Sequence, residues 1–218
     1  PDFAEAYNNR GSEFYTYGSL EDSIADFNRA LEINPDYIDA YINRASSRAS
    51  LGDYDGAYDD LNHAISLNPE NADPYMNRGT LKLEQGDTVG ALDDLNQALE
   101  LDPEYALAYM NRGNIRVTEG DFQQAIEDYD RAIALDADLL NAYYNRAIAK
   151  QNSEDFEGAI ADYNHVLSVD PSIADAYWGR AYNYEELSRF DEALADYQTY
   201  VTLVGEANAP AWMLERIT

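Results

Sequence analysis

The stretch Ala108–Asp136, AYMNRGNIRVTEGDFQQAIEDYDRAIALD, decides the fold. Tyr109, Arg112 and Gly113 share one helical face, Gly120 and Asp121 form a turn, and Ala125, Tyr129 and Ala132 follow at helical spacing. The chain repeats this pattern every 34 residues. Tyr7, Tyr41, Tyr75, Tyr109, Tyr143 and Tyr177 fall in one register, and Arg10, Arg44, Arg78, Arg112, Arg146 and Arg180 in another. A fixed period of this length overrides any element-by-element reading. Small residues recur in phase (Gly11, Ala45, Gly79, Gly113, Ala147, Ala181; then Ser23, Ala57, Ala91, Ala125, Ala159, Ala193) and let helices approach closely. Phe27, Leu61, Leu95, Tyr129, Tyr163 and Tyr197 follow the second small series by one helical turn. Each period therefore reads as two amphipathic helices.

The boundaries agree. Gly18, Gly52, Gly86 and Gly120 end the first helix, and Ser19, Asp53, Asp87, Asp121 and Asp155 are expected to N-cap the second. Pro35, Pro69, Pro103 and Pro171 mark the passage into the next repeat, a series that Ala137 and Gly205 interrupt. Pro1 stands in the phase of Pro35, so a preceding repeat is expected.

These residues strongly resemble the tetratricopeptide repeat family over residues 4–207, in six units: 4–37, 38–71, 72–105, 106–139, 140–173 and 174–207. The clearest departure is Arg where that family most often has Leu. The resemblance implies an all-α, right-handed superhelical solenoid of antiparallel helix pairs with a concave groove. Residues 208–218 read as the start of a C-terminal capping helix, with Pro210 near its first turn.

The in-phase arginines have a matching acidic series: Asp26, Asp60, Asp94, Asp128, Asp162 and Asp196. Structural ion pairs joining Arg44, Arg78, Arg112 and Arg146 to Asp60, Asp94, Asp128 and Asp162 are the expected arrangement. The competing use of these arginines on a ligand carboxylate would leave buried aspartates unpaired at a cost of several kcal/mol each. Arg48, Lys82, Arg116 and Lys150, one turn further on, are expected to be neutralised as well, leaving Arg29, Arg131, Arg189 and Arg216. The remaining surface is strongly acidic: 42 Asp and Glu against 14 Lys and Arg give a net charge of −28. Phosphate-rich partners such as nucleic acid and anionic membranes are thereby excluded. No cysteine is present, so disulfides and thiolate metal sites are excluded too. There is no apolar run of about 18 residues to insert in a membrane. The compartment is not fixed by the sequence.

The expected site is the groove. Asn9, Asn43, Asn77, Asn111 and Asn145 form a series broken by Gly179, and in the family this position faces the concave surface. The series resembles the asparagine ladder of the repeat superhelix of O-linked N-acetylglucosamine transferase, which holds peptide main chain. An amide can both donate to and accept from an extended backbone; the competing reading has each Asn bridging neighbouring helices. Asn8, Ile42, Met76, Met110, Tyr144 and Trp178 precede these positions and would form an increasingly apolar strip. Asp39 and Asp73, with Glu5 and Asp175 in the same phase, would edge it with negative charge. An extended, cationic and partly apolar peptide would fit. The carboxylate clamp of chaperone-binding relatives is broken, because Asn8, Ser12, Asp73 and Asn77 stand where its Lys, Asn and Arg belong.

His63 and His165 lie three repeats apart and suggest no shared metal or catalytic site. DYDGAYDD, from Asp53 to Asp60, lacks the ligand spacing of a calcium loop. The expectation is a non-catalytic protein–protein interaction scaffold with no cofactor and a basic or neutral protein partner. The alternatives are a self-assembly module using the Trp178, Tyr182 and Tyr200 region, or a recognition domain within a larger enzyme.

Overall fold

Each 34-residue period folds into two helices joined by a tight turn. The computed structural model describes residues 3–217; the phase of Pro1 falls outside them. Among the described residues there are thirteen helices and no strand. They pair as α1 (Phe3–Thr16) with α2 (Leu20–Ile33), α3 (Ile38–Ser50) with α4 (Tyr54–Leu67), and α5 (Ala72–Glu84) with α6 (Thr88–Leu101). The series continues with α7 (Ala106–Glu119) and α8 (Phe122–Leu135), α9 (Leu140–Asn152) and α10 (Phe156–Val169), and α11 (Ala174–Glu186) and α12 (Phe190–Val204). A short α13 (Ala211–Ile217) packs on α12, burying Met213 against Tyr197, Tyr200 and Val201. The chain divides into two compact halves, Pro1–Ala108 and Tyr109–Thr218. In the first, α1 touches α3 and α3 touches α5; in the second, α9 touches α11. This is the all-α class of tandem helix-pair solenoids.

One residue closes the first helix of a pair and opens the second. The N–H of Asp53 donates to Arg48 O (2.9 Å) and that of Asp87 to Lys82 O (2.9 Å), a Schellman closure in which Gly52 and Gly86 take φ of 82° and 78°. Glu154 (φ 65°) and Ser188 (φ 59°) hold the same left-handed position in the last two repeats, where a side chain is unfavourable. The side chains of Asp53, Asp87 and Asp155 then cap α4, α6 and α10, accepting from the N–H of Gly56, Gly90 and Gly158. Ser19 and Asp121, expected to act likewise, make no side-chain cap. At the three closed caps the carboxylate occupies the space where a Cβ on the glycine would stand. Asp22 and Gln124 carry a Cβ there.

Between repeats the turn is held by an Asx side chain rather than by proline alone. Asn34, Asn68, Asp102, Asp136 and Asp170 each accept from the N–H two residues on, at 2.9–3.2 Å. The proline series can therefore lapse at Ala137 without loss of the turn.

The arginines and aspartates converge within each pair. Arg78 Nε and Nη2 donate to the two carboxylate oxygens of Asp94 at 2.8 and 2.6 Å, and the same fork joins Arg10–Asp26, Arg44–Asp60, Arg112–Asp128, Arg146–Asp162 and Arg180–Asp196. Four of these aspartates hold a second cation: Arg48, Lys82, Arg116 and Lys150 lie 2.7–2.9 Å from Asp60, Asp94, Asp128 and Asp162. The third arm was not anticipated. Nη1 of Arg44, Arg78, Arg146 and Arg180 reaches back to the second helix of the preceding repeat, donating to Asn28, Asn62, Asp130 and Asn164 at 2.5–2.6 Å. Each guanidinium also lies over the in-phase Tyr ring, 5.3–5.6 Å from its centroid.

Burial opposes the charge on Asp94, yet hydrogen bonds from Arg78 and Lys82, with their charges, outweigh it and hold its pKa below the ordinary 3.8. A depressed folded-state pKa contributes stability that is present above the ordinary value and lost as the pH falls through the folded one. Asp94→Asn is expected to cost roughly 3–5 kcal/mol at neutral pH, with the urea midpoints of variant and wild type converging below pH 3.8; a constant gap down to acid pH would contradict the pairing. Glu154→Gly and Ser188→Gly should each stabilise by about 0.5–1 kcal/mol, as relief of left-handed strain exceeds the added chain entropy. Thermal unfolding of the single variants reads this directly.

Candidate functional site

The first helices carry the candidate binding positions. Asn9 is exposed. Asn43 donates to Asn8 Oδ1 (3.1 Å), Asn77 to the carbonyl of Asp73 one turn back (2.8 Å), and Asn145 to Asn114 Oδ1 (2.8 Å). These three amides therefore commit one N–H to their own scaffold and keep the second N–H and Oδ1. Asn111 is half-buried.

The apolar strip is less uniform than its spacing suggests. Ile42 is only 9% exposed and packs with Ala45, Leu61 and Leu81, so it belongs to the core and not to the groove. Its branched side chain packs into the cluster that α3 and α4 share with Leu81 of α5. Asn8 is likewise buried, as the acceptor for Asn43. Met76 and Met110 are half-buried. Tyr144 packs edge-on to Tyr163 at 5.7 Å, and Trp178 stays 36% exposed. Tyr200, named with Trp178 as a self-assembly surface, is buried beneath it at 5.2 Å. Asp39 and Asp73 are both exposed, and Asp73 accepts a hydrogen bond from the Tyr105 hydroxyl (2.8 Å).

Cavities open along these faces in each half. In the first, a cavity of about 490 Å³ lies among Tyr15, Ser46, Ser50, Asn77, Thr80 and Glu84. In the second, one of about 330 Å³ is lined by Tyr144, Tyr163, Asp175, Trp178 and Tyr182, and a smaller one of about 190 Å³ by Asn114, Tyr129, Asn145 and Ile148. Among the described residues, no Lys or Arg lines any of the three. The cations are spent elsewhere: among the described residues every Lys and Arg except Arg131 has an acidic partner. Tyr15, Thr80, Tyr163 and Tyr182 were not anticipated as lining residues; the phase of Trp178 plus four would have pointed to Tyr182. His63 and His165 rest against Tyr41 and Tyr143 at 4.5 and 3.9 Å, each in a separate half.

Family profiles described as tetratricopeptide repeat match residues 4–37, 76–139 and 113–181, and one described as TPR repeat matches 45–86. The chain belongs to the tetratricopeptide repeat family. No curated protein matches it. Among solved tetratricopeptide-type folds, it is similar to a chain of the APC/C heterotetramer Cut9–Hcn1 (18% identity, TM-score 0.82, covering 100% of this chain and 42% of that one). It is also similar to PilW, a widely conserved type IV pilus biogenesis factor (19%, TM-score 0.83, 100% of both chains). A third is YrrB, a TPR protein with an unusual peptide-binding site (21%, TM-score 0.69, 81% of this chain and 91% of that one). At these identities the likeness is one of fold. The chain spans less than half of the first of these proteins. The tetratricopeptide fold is that of a protein–protein interaction scaffold, and no described helix is long and apolar enough to cross a membrane.

Core placement of Ile42 has a measurable consequence. Ile42→Ala should lower stability by roughly 2–5 kcal/mol through the cavity left behind, as read from chemical denaturation; a loss of a few tenths would return Ile42 to the surface.

Proposed function

We propose that the protein is a non-catalytic scaffold that binds an extended, cationic and partly apolar segment of another polypeptide on the inner faces of its first helices. The observation that carries this reading is the combination found on those faces: amides with uncommitted donors and acceptors, partly exposed aromatics, and no Lys or Arg around the cavities among the described residues. A net charge of −28 attracts basic segments and speeds their encounter. YrrB, with its unusual peptide-binding site, puts a similar fold to a use consistent with this reading.

Magnitudes define the ligand. A backbone hydrogen bond contributes a net ~0.5–1.5 kcal/mol, while fixing a peptide residue costs ~1–2 kcal/mol. Backbone contacts thus roughly cancel, and affinity must come from side chains entering the cavities and from charge. Homo-oligomerisation through Trp178 and Tyr200 is disfavoured because Tyr200 is covered within the chain.

A random peptide library screened by fluorescence anisotropy tests the reading. Basic peptides should be retained and acidic ones rejected, with affinity falling as salt rises. Asn77→Ala and Asn145→Ala should each weaken retained peptides by about 2- to 10-fold. Equal retention of acidic and basic sequences, or indifference to both substitutions, would overturn the proposal.

A further inference from the structure

The cavity between α9 and α11 is lined by a tyrosine hydroxyl that has no hydrogen-bond partner among the described residues. Tyr163 is 2% exposed and makes no hydrogen bond among the described residues, while Tyr129, one repeat earlier, donates to Asn114 Oδ1 at 2.8 Å. The position of Asn114 is Ile148 in the repeat of Tyr163. The asparagine series also breaks beside this hydroxyl. Gly179 replaces Asn, and a Cβ there would come within 2.5 Å of the Tyr163 hydroxyl oxygen. Two departures from the repeat pattern, Ile148 and Gly179, thus remove the internal partner and open the space in front of it.

The rest of the cavity wall has one chemical character. Trp178 and Tyr182 are 36% and 39% exposed, and Tyr144 completes the aromatic lining. Trp178 is braced by Tyr200 at 5.2 Å and Trp212 at 6.5 Å, so its face is already in place. Asp175 lines the cavity, and the negative charge of Glu186 acts on Tyr182 beside it. Its volume of about 330 Å³ suits one long side chain.

Building on the scaffold reading above, we propose that this cavity takes an arginine side chain of the bound partner. The guanidinium stacks on the Trp178 and Tyr182 rings, whose faces attract a cation. Its planar N–H groups donate to the Asp175 carboxylate and to the Tyr163 hydroxyl oxygen at the cavity wall. An adjoining cavity of about 210 Å³, which shares Tyr144 and Asp175 and is walled by Leu140, Val166 and Ile173, receives an aliphatic neighbour of that arginine.

The test uses Nα-acetyl-arginine amide and its neutral isostere Nα-acetyl-citrulline amide on the full chain. Only two tryptophans are present, so Trp212→Phe isolates the emission of Trp178. Saturable change is expected with the arginine probe in the millimolar range, at least about tenfold weaker with citrulline. Tyr163→Phe and Asp175→Asn should each weaken the arginine probe about three- to tenfold. Tyr163→Phe should leave the urea midpoint unchanged, because its hydroxyl bonds nothing in the free protein. Absence of saturation up to about 50 mM, equal response to both probes, or indifference to both variants would overturn the assignment. If library peptides bind while the arginine probe does not, the cavity assignment fails and the scaffold stands; if the probe binds and no peptide does, the scaffold fails and the cavity keeps its ligand.

Discussion

The guanidinium of the in-phase arginine is the interaction on which the molecule depends. Arg78 ties three helices at one point: α5 through its own backbone, α6 through the fork to Asp94, and α4 through Nη1 to Asn62. Apolar packing alone is non-directional and would tolerate sliding of one helix along another. A planar fork meeting a carboxylate has one good register, so the repeated arginine sets the registry of each pair and, at Arg44, Arg78, Arg146 and Arg180, of that pair on the one before it. Burying the charges has its own cost, which a second cation on Asp60, Asp94, Asp128 and Asp162 helps to offset. The ring of the in-phase tyrosine covers the guanidinium's face. Each repeat thus keeps a polar centre fully partnered rather than a purely apolar seam.

This constraint reaches the surface through charge. Cations are few, and the ladder binds most of them to second-helix aspartates. The inner faces of the first helices are consequently left with amides, rings and carboxylates. The acidic, aromatic character of these helix faces is therefore a by-product of how the helix pairs are fastened. Arg10 has no preceding helix among the described residues, and its side chain is 57% exposed against 14% for Arg44.

Much of this was legible in the sequence, for a physical reason: six copies average away local ambiguity. Two helices per period, the glycine closures and the sixteen-residue offset between Arg and Asp all follow from periodicity and helical geometry. The third arm of the arginine was not legible, because Asn28, Asn62 and Asn164 look like any exposed polar residue until the stacking of successive pairs is known. The same limit applied to Ile42, whose depth depends on how closely α3 and α4 approach, and to Ser19 and Asp121, which make no side-chain cap although their types favour one. For the candidate site, phase alone put Asn77, Asn145, Tyr144 and Trp178 beside cavities. It could not show that three asparagines spend an N–H on their own scaffold, nor that Tyr163 reaches a cavity from the core.

The division of labour between regular and irregular positions follows from these energetics. A residue present in every repeat contributes the same term six times and cannot distinguish one bound sequence from another. Main-chain contacts from a regular asparagine series nearly cancel against the ordering of the peptide. Discrimination must then arise where the pattern breaks, since only there does one cavity differ chemically from the next. Ile148 and Gly179 are such breaks, and together they leave the Tyr163 hydroxyl without an internal partner at the wall of an acidic aromatic pocket. Glu154 and Ser188 are breaks of another kind, with strained backbone at the turns of the last two repeats. Both kinds lie in the second half of the chain.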